Sequence, residues 1–114
     1  MSANTLPAIL QNGNLLDGYK QLLDSLSRAY WEAGDMASKD RIYGAQQAVS
    51  ELITALDQDD VALLTQQYIA MKPQIDATNA ALAKIREDVN QITKNIGTAS
   101  MLAAGITKVL GMFA

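Results

Sequence analysis

A long helical repeat of apolar residues fills the second half of the chain and limits what it can fold into. From Val61 to Phe113, stepping by threes and fours reaches an apolar side chain almost every time, and the one polar exception is Thr78. The positions of this seam are Val61, Leu64, Tyr68, Met71, Ile75, Thr78, Leu82, Ile85, Val89, Ile92, Ile96, Ala99, Ala103, Ile106, Leu110 and Phe113. Such a seven-residue repeat predicts helices that bury one face against other helices, as in a coiled coil.

The first half carries two shorter helical patterns on either side of Gly34. The first pattern places Leu16, Tyr19, Leu23, Leu26 and Tyr30 on one face, widened by Leu15 and Leu22. The second consists of Ile42, Ala45, Val49, Leu52 and Leu56. Their phases differ, which indicates either a turn at Gly34 or a local change in helix winding there.

These patterns predict a single helical domain over residues 1–114. Its parts are an arm over 1–14, helices over 15–33 and 38–57, a long helix over 60–96 kinked near Pro73, and an apolar helix over 97–113. Proline removes one backbone hydrogen bond from a helix and bends it. Because the repeat keeps its phase across Pro73, one kinked helix is favoured over two helices joined by a loop.

The charges are distributed unevenly, which favours particular arrangements of these helices. Every charged side chain except Lys108 lies between Asp17 and Lys94. Folding the chain at Asp57–Asp60 pairs two arms of equal length, with both charge-poor ends of the chain at the opposite end from this acidic turn. The fold class is therefore all-α, as a long antiparallel hairpin or, with a second fold at Gly34, as a three- to four-helix bundle with a coiled-coil-like seam.

The composition argues against enzymatic chemistry. Histidine and cysteine are absent, which removes the commonest general base and the usual ligands of zinc. The three carboxylates of Asp57–Asp60 lack the glycine and further oxygen ligands of a calcium loop, so we interpret Asp57 or Asp59 as a helix cap. We expect no catalytic residue, no cofactor and no metal site.

The balance of charge bears on possible partners. With 12 acidic and 9 scattered basic residues, the chain lacks the clustered lysines and arginines that bind nucleic acid. The apolar tail contains the polar residues Thr98, Ser100, Thr107 and Lys108. It therefore does not resemble a membrane-spanning helix, which needs about twenty mainly apolar residues. Insertion of the tail at a bilayer surface stays an alternative, although Lys108 alone gives little of the cationic face typical of such helices.

The amino-terminal residues show no secretory signal. Met1 to Asn14 carries no charge, whereas a cleaved signal starts with basic residues followed by a longer apolar run. We therefore expect this segment to be an arm, and the protein to be cytoplasmic or exported without a cleaved signal.

The function that these observations favour is that of a non-enzymatic structural or interaction protein. It would self-associate, or dock into a larger assembly, through its apolar C-terminal segment and the seam. The predicted interface residues are Ile85, Val89, Ile92, Ile96, Met101, Leu102, Ile106, Val109, Leu110 and Phe113. For Ile85, Val89, Ile92 and Ile96, a place in the core of the single chain is an equally good interpretation.

Overall fold

The structure, a computed structural model, describes residues 8–113 of the chain. In this part of the chain a 3-10 helix, Ala8–Gly13, is followed by five α-helices. They are α1 (Asn14–Glu32), α2 (Met36–Leu56), α3 (Val61–Glu87), α4 (Val89–Ile92) and α5 (Ile96–Gly111). The all-α class predicted from the sequence is thereby confirmed.

The four longer helices form a closed ring. α1 packs against α2 and α5, and α3 packs against the same two helices. Short connections between successive helices make neighbours antiparallel. The result is a rod measuring 50 × 20 × 20 Å. Of the two predicted architectures, the chain adopts the four-helix bundle and not the two-armed hairpin.

Gly34 lies in a true turn, which settles one question that the sequence left open. α1 ends at Glu32 and α2 begins at Met36. The Asp35 carboxylate accepts a hydrogen bond from the backbone N–H of Ser38 at 2.7 Å. Hydrogen bonds from the Ser38 backbone and side chain hold the pKa of Asp35 below its usual value. The shift in phase between the first two patterns is therefore a change of helix.

The helix predicted over 60–96 ends earlier, at Glu87, although α3 does continue through Pro73. The single turn of α4 follows, and Thr93 is extended. The Thr93 hydroxyl accepts from the Asn95 N–H at 3.1 Å, and the Asn95 side chain accepts from the Thr98 N–H at 3.1 Å. These local bonds compete with a continuous helix and start α5 instead.

The connections define two ends of the rod. At the upper end, the turn around Gly34 meets the turn after α4, where the Gly34 N–H donates to the Ile92 carbonyl at 3.3 Å and Ala33 pairs with Thr93 in an isolated β-bridge. At the lower end, the Asp57–Asp60 turn lines one cavity together with Leu10 of the 3-10 helix. The acidic turn and the start of the described chain thus lie at the same end of the rod, whereas the predicted hairpin required them to lie at opposite ends.

Helix capping at the lower end also differs in detail from the prediction. Asp60, and neither Asp57 nor Asp59, caps α3 by accepting a hydrogen bond from the Leu63 N–H at 2.9 Å. The interpretation of these acids as helix caps therefore holds for Asp60, because the capping residue directly precedes the first residue of the helix.

Half of the seam positions are buried in the middle of the ring. Its buried members are Ile75, Thr78, Leu82, Ile85, Val89, Ile92, Ala99 and Ile106. They pack with the buried side chains of the first two helices, among them Tyr19, Leu22, Leu26, Ile42, Val49 and Leu52. α1 and α5 approach closely at Gly18, where an added Cβ would lie 3.2 Å from Met112 Cε and 3.3 Å from Val109 Cγ2.

Candidate functional site

Six of the ten predicted interface residues lie in the core. They are Ile85, Val89, Ile92, Leu102, Ile106 and Val109. For Leu102, Ile106 and Val109 the reason is that their helix, α5, closes the ring by packing on both α1 and α3. In the folded chain these six side chains are buried and hold the bundle together, and the role of the C-terminal segment as a contact surface stays a prediction.

The other four predicted interface residues have different surroundings. Leu110 and Phe113 are half-buried against the core and line a cavity of about 570 Å³ near the lower end. Ile96 and Met101 are exposed, at 81% and 43%. Ile96 is the first residue of α5, so its place in the repeat did not bury it once the helix restarted there.

Two exposed residues that the sequence reading did not single out lie at the same end as Ile96. Trp31 near the end of α1 is 78% exposed, and Met36 at the start of α2 is 72% exposed. Together, Trp31, Met36 and Ile96 are named here the upper-end residues. The sequence signal that could have found them is their position beside the two turns, where a helix has little protein left to cover it.

Trp31 is held in place by its neighbours. Its ring meets the Tyr30 ring edge to face, with centroids 5.3 Å apart. Lys39 Nζ donates to the Tyr30 carbonyl at 2.7 Å and lies 4.7 Å from the Tyr30 ring centroid and 5.9 Å from that of Trp31. A large side chain that is ordered before binding loses little entropy in a complex, which suits a binding anchor.

The charges around the upper end have both signs. Glu32, Asp35 and Asp40 are exposed there, as is Lys94. The Asn95 amide donates to Glu32 at 3.4 Å. This mixture gives no cationic surface of the kind that anionic lipid or nucleic acid attracts.

A second concave surface lies between α2 and α3. This α2–α3 groove contains a cavity of about 510 Å³. Its wall consists mainly of the small residues Gly44, Ala45, Ala48, Ala77, Thr78 and Ala81. The ion pair of Arg41 with Asp88 lies on its upper side, and the hydrogen bond from Gln74 to Glu51 lies on its lower side.

The cavity near the lower end combines apolar walls with a few polar groups. Beneath it the buried Tyr19 hydroxyl donates to Asn79 Oδ1 at 2.9 Å, and burial raises the pKa of Tyr19 far above its usual value. At its mouth Lys72 pairs with Asp76, which raises the pKa of Lys72. Both partners of this ion pair are exposed, which is typical of a surface ion pair and unlike a catalytic acid and base tuned by burial.

Within residues 8–113, no group of three or more acidic, histidine or cysteine side chains is arranged to hold a metal ion. None of the helices over the same residues is long and apolar enough to cross a membrane. The chain matches no known family model, no curated protein and no solved structure.

Proposed function

We propose that this protein is a non-enzymatic helical interaction protein that binds a partner protein through the upper-end residues. The observation that carries the proposal is the exposure of Trp31, Met36 and Ile96, each above 70%, at one end of the rod. Large apolar side chains exposed together mark contact surfaces, and tryptophan is among the residue types that dominate binding energy. The interaction role predicted from the sequence is kept, and the contact surface moves from the C-terminal segment to the upper end.

A protein partner fits this end better than a membrane does. The membrane alternative relied on an apolar tail free to insert, whereas Leu102, Ile106 and Val109 of α5 are buried in the bundle. Release of α5 would expose the core of the ring. The upper end also carries exposed Glu32 and Asp35, which anionic headgroups repel.

Site-specific photo-crosslinking tests the proposal in the cells that make the protein. We expect Trp31→p-benzoylphenylalanine to give a discrete covalent adduct with another protein on irradiation. The matched control is the same probe at Lys20, which is also exposed and lies eleven residues before Trp31 in α1. Absence of an adduct from position 31, or the same adducts from both positions, contradicts the proposal.

A second variant separates a true contact from chance proximity. With the photo-probe at Met36, Trp31→Ala should remove the adduct, because the binding anchor is lost. Since Trp31 is 78% exposed, the same substitution should leave the thermal midpoint within about two degrees of the parent. Circular dichroism checks this on the purified variant.

A further inference from the structure

Side-chain bridges cross the outer side of each contact between neighbouring long helices. Gln46 donates to Ser27 between α2 and α1, Lys108 to Gln21 between α5 and α1, and Arg86 to Thr107 between α3 and α5. In the described chain, the side-chain bridges of the α2–α3 groove lie at its two sides and leave its small-residue wall uncovered between them.

The outer surface of α3 is also unusual for a helix in contact with water. Leu63, Ala70, Pro73, Ala77 and Ala81 recur at intervals of seven, three and four residues, so they share one face, and all are exposed. Between Val61 and Ala83 the only charged residues are Lys72 and Asp76, which pair with each other. A solvated helix face normally carries more charge than this.

We propose that the α2–α3 groove receives α3 of a second copy of this chain, running antiparallel about a two-fold axis near Pro73. Each copy then supplies both the groove and the helix that fills it, as a two-fold dimer requires. The small side chains of both faces let the two helices approach closely. This dimer leaves the upper-end residues free, so it goes beyond the partner contact proposed above.

The register explains the one large apolar residue among these five. Leu63 lies ten positions before Pro73 and Ala81 lies eight positions after it, so an axis about one residue before Pro73 sets the two opposite each other in an antiparallel pair. Leu63, which is 40% exposed, therefore lies over Ala81 of the other copy, at the cavity of about 510 Å³ in the groove. The Leu63 side chain of each copy thus fills the cavity of the other copy.

Charge complementarity favours the antiparallel direction. α3 begins after the acidic turn Asp57–Asp60 and carries Lys84 and Arg86 in its last turn. Lys84 pairs with Glu87 of its own chain, and Asp88 follows, so the end of α3 carries charges of both signs. Antiparallel pairing places each acidic turn beside this mixed end, whereas parallel pairing would set the two acidic turns side by side, where they repel each other.

The size of the surface favours a dimer through this side of the rod. A side of 50 × 20 Å offers at most about 1,000 Å² per copy. Stable interfaces bury about 800 Å² per partner. The side of the rod is therefore large enough for a stable dimer.

Sedimentation velocity tests the dimer across the concentrations at which the protein is soluble. We expect a concentration-dependent dimer, which Ala77→Arg weakens by more than about tenfold because a charge would be buried without a partner. Ala104→Arg, on the exposed side of α5, is the matched control and should leave the dimer unchanged. A parent protein that stays monomeric, or a dimer that survives Ala77→Arg, overturns the proposal.

Disulfide trapping supplies a second readout that does not depend on arginine being tolerated. The chain has no cysteine, so Pro73→Cys introduces a single thiol close to the proposed axis. Under mild oxidation this variant should form a covalent dimer readily, while Ala104→Cys should remain mostly monomeric. Equal trapping of the two variants, or no trapping at position 73, is evidence against the antiparallel arrangement.

Discussion

Tyr19 illustrates what single residues contribute to this fold and how far a sequence can foresee it. Its position in the first helical pattern predicted a place on the packed face of α1, and the side chain is fully buried. Its hydroxyl partner, Asn79, lies 60 residues further along the chain. No local pattern connects two residues so distant in sequence, so only the closed ring reveals the bond.

Tyr19 also gives the protein a predictable sensitivity to alkali. Because burial raises its pKa, the folded state holds the phenolic proton more tightly than the unfolded state does. The associated stability is complete below the ordinary tyrosine pKa of about 10 and is lost as the pH rises above it. Chemical unfolding followed by circular dichroism should therefore show stability falling steeply above about pH 10.

Tyr19→Phe is the variant that isolates this effect. At neutral pH it should lose about 1 kcal/mol with the hydrogen bond to Asn79, and above about pH 10 its stability should fall less steeply than that of the parent. Other tyrosines and lysines titrate in both proteins, so the comparison removes their contribution. Identical pH profiles would mean that Tyr19 does not ionise on unfolding in this range.

Periodicity predicted which helices exist, and roughly where they begin and end, better than it predicted which of their residues face the core. α1, α2 and α5 begin and end within two residues of the predicted ranges. In α1, however, Leu15 and Leu22 are fully buried, while Leu16 and Leu23 are only partly buried. The first pattern was wide enough to admit either choice, and contact with both α2 and α5 decided it.

The two isoleucines of α5 test whether this helix belongs to the core. Ile106→Ala should lower the free energy of unfolding by about 2–5 kcal/mol, because it leaves a cavity at a fully buried position. Ile96→Ala, at 81% exposure on the same helix, should change it by no more than about 0.5 kcal/mol. Urea unfolding measures both, and similar values for the two would argue that α5 is not packed as described.

For the whole molecule, the choice between a hairpin and a bundle depended on two turns. Gly34 was recognised as one of two possibilities, while the break after Glu87 lay inside a repeat that kept its phase. The turns are joined to each other by the Gly34 bond to Ile92 and the pairing of Ala33 with Thr93. These contacts span about sixty residues of sequence, so the closing of the ring was not visible in any local pattern.

Removal of the last helix should therefore abolish the fold and not merely an assembly. Deleting residues 96–114 takes away Leu102, Ile106 and Val109 and uncovers the faces of α1 and α3 that pack on them. We expect the shortened chain to lose its cooperative thermal transition by circular dichroism. A sharp transition with nearly full helical signal would show that the first three long helices are a stable unit.

The cavity of about 570 Å³ near the lower end of the described chain has a practical consequence. Ile9 and Phe113 line that cavity together, whereas the upper end consists of internal connections only. A fluorescent label attached at position 113 would sit away from Trp31, because the neighbouring Met112 packs against Gly18 near the start of α1, whereas Trp31 lies near the end of that helix. Tethered to a sensor surface in this way, the rod would present its tryptophan to whatever flows past.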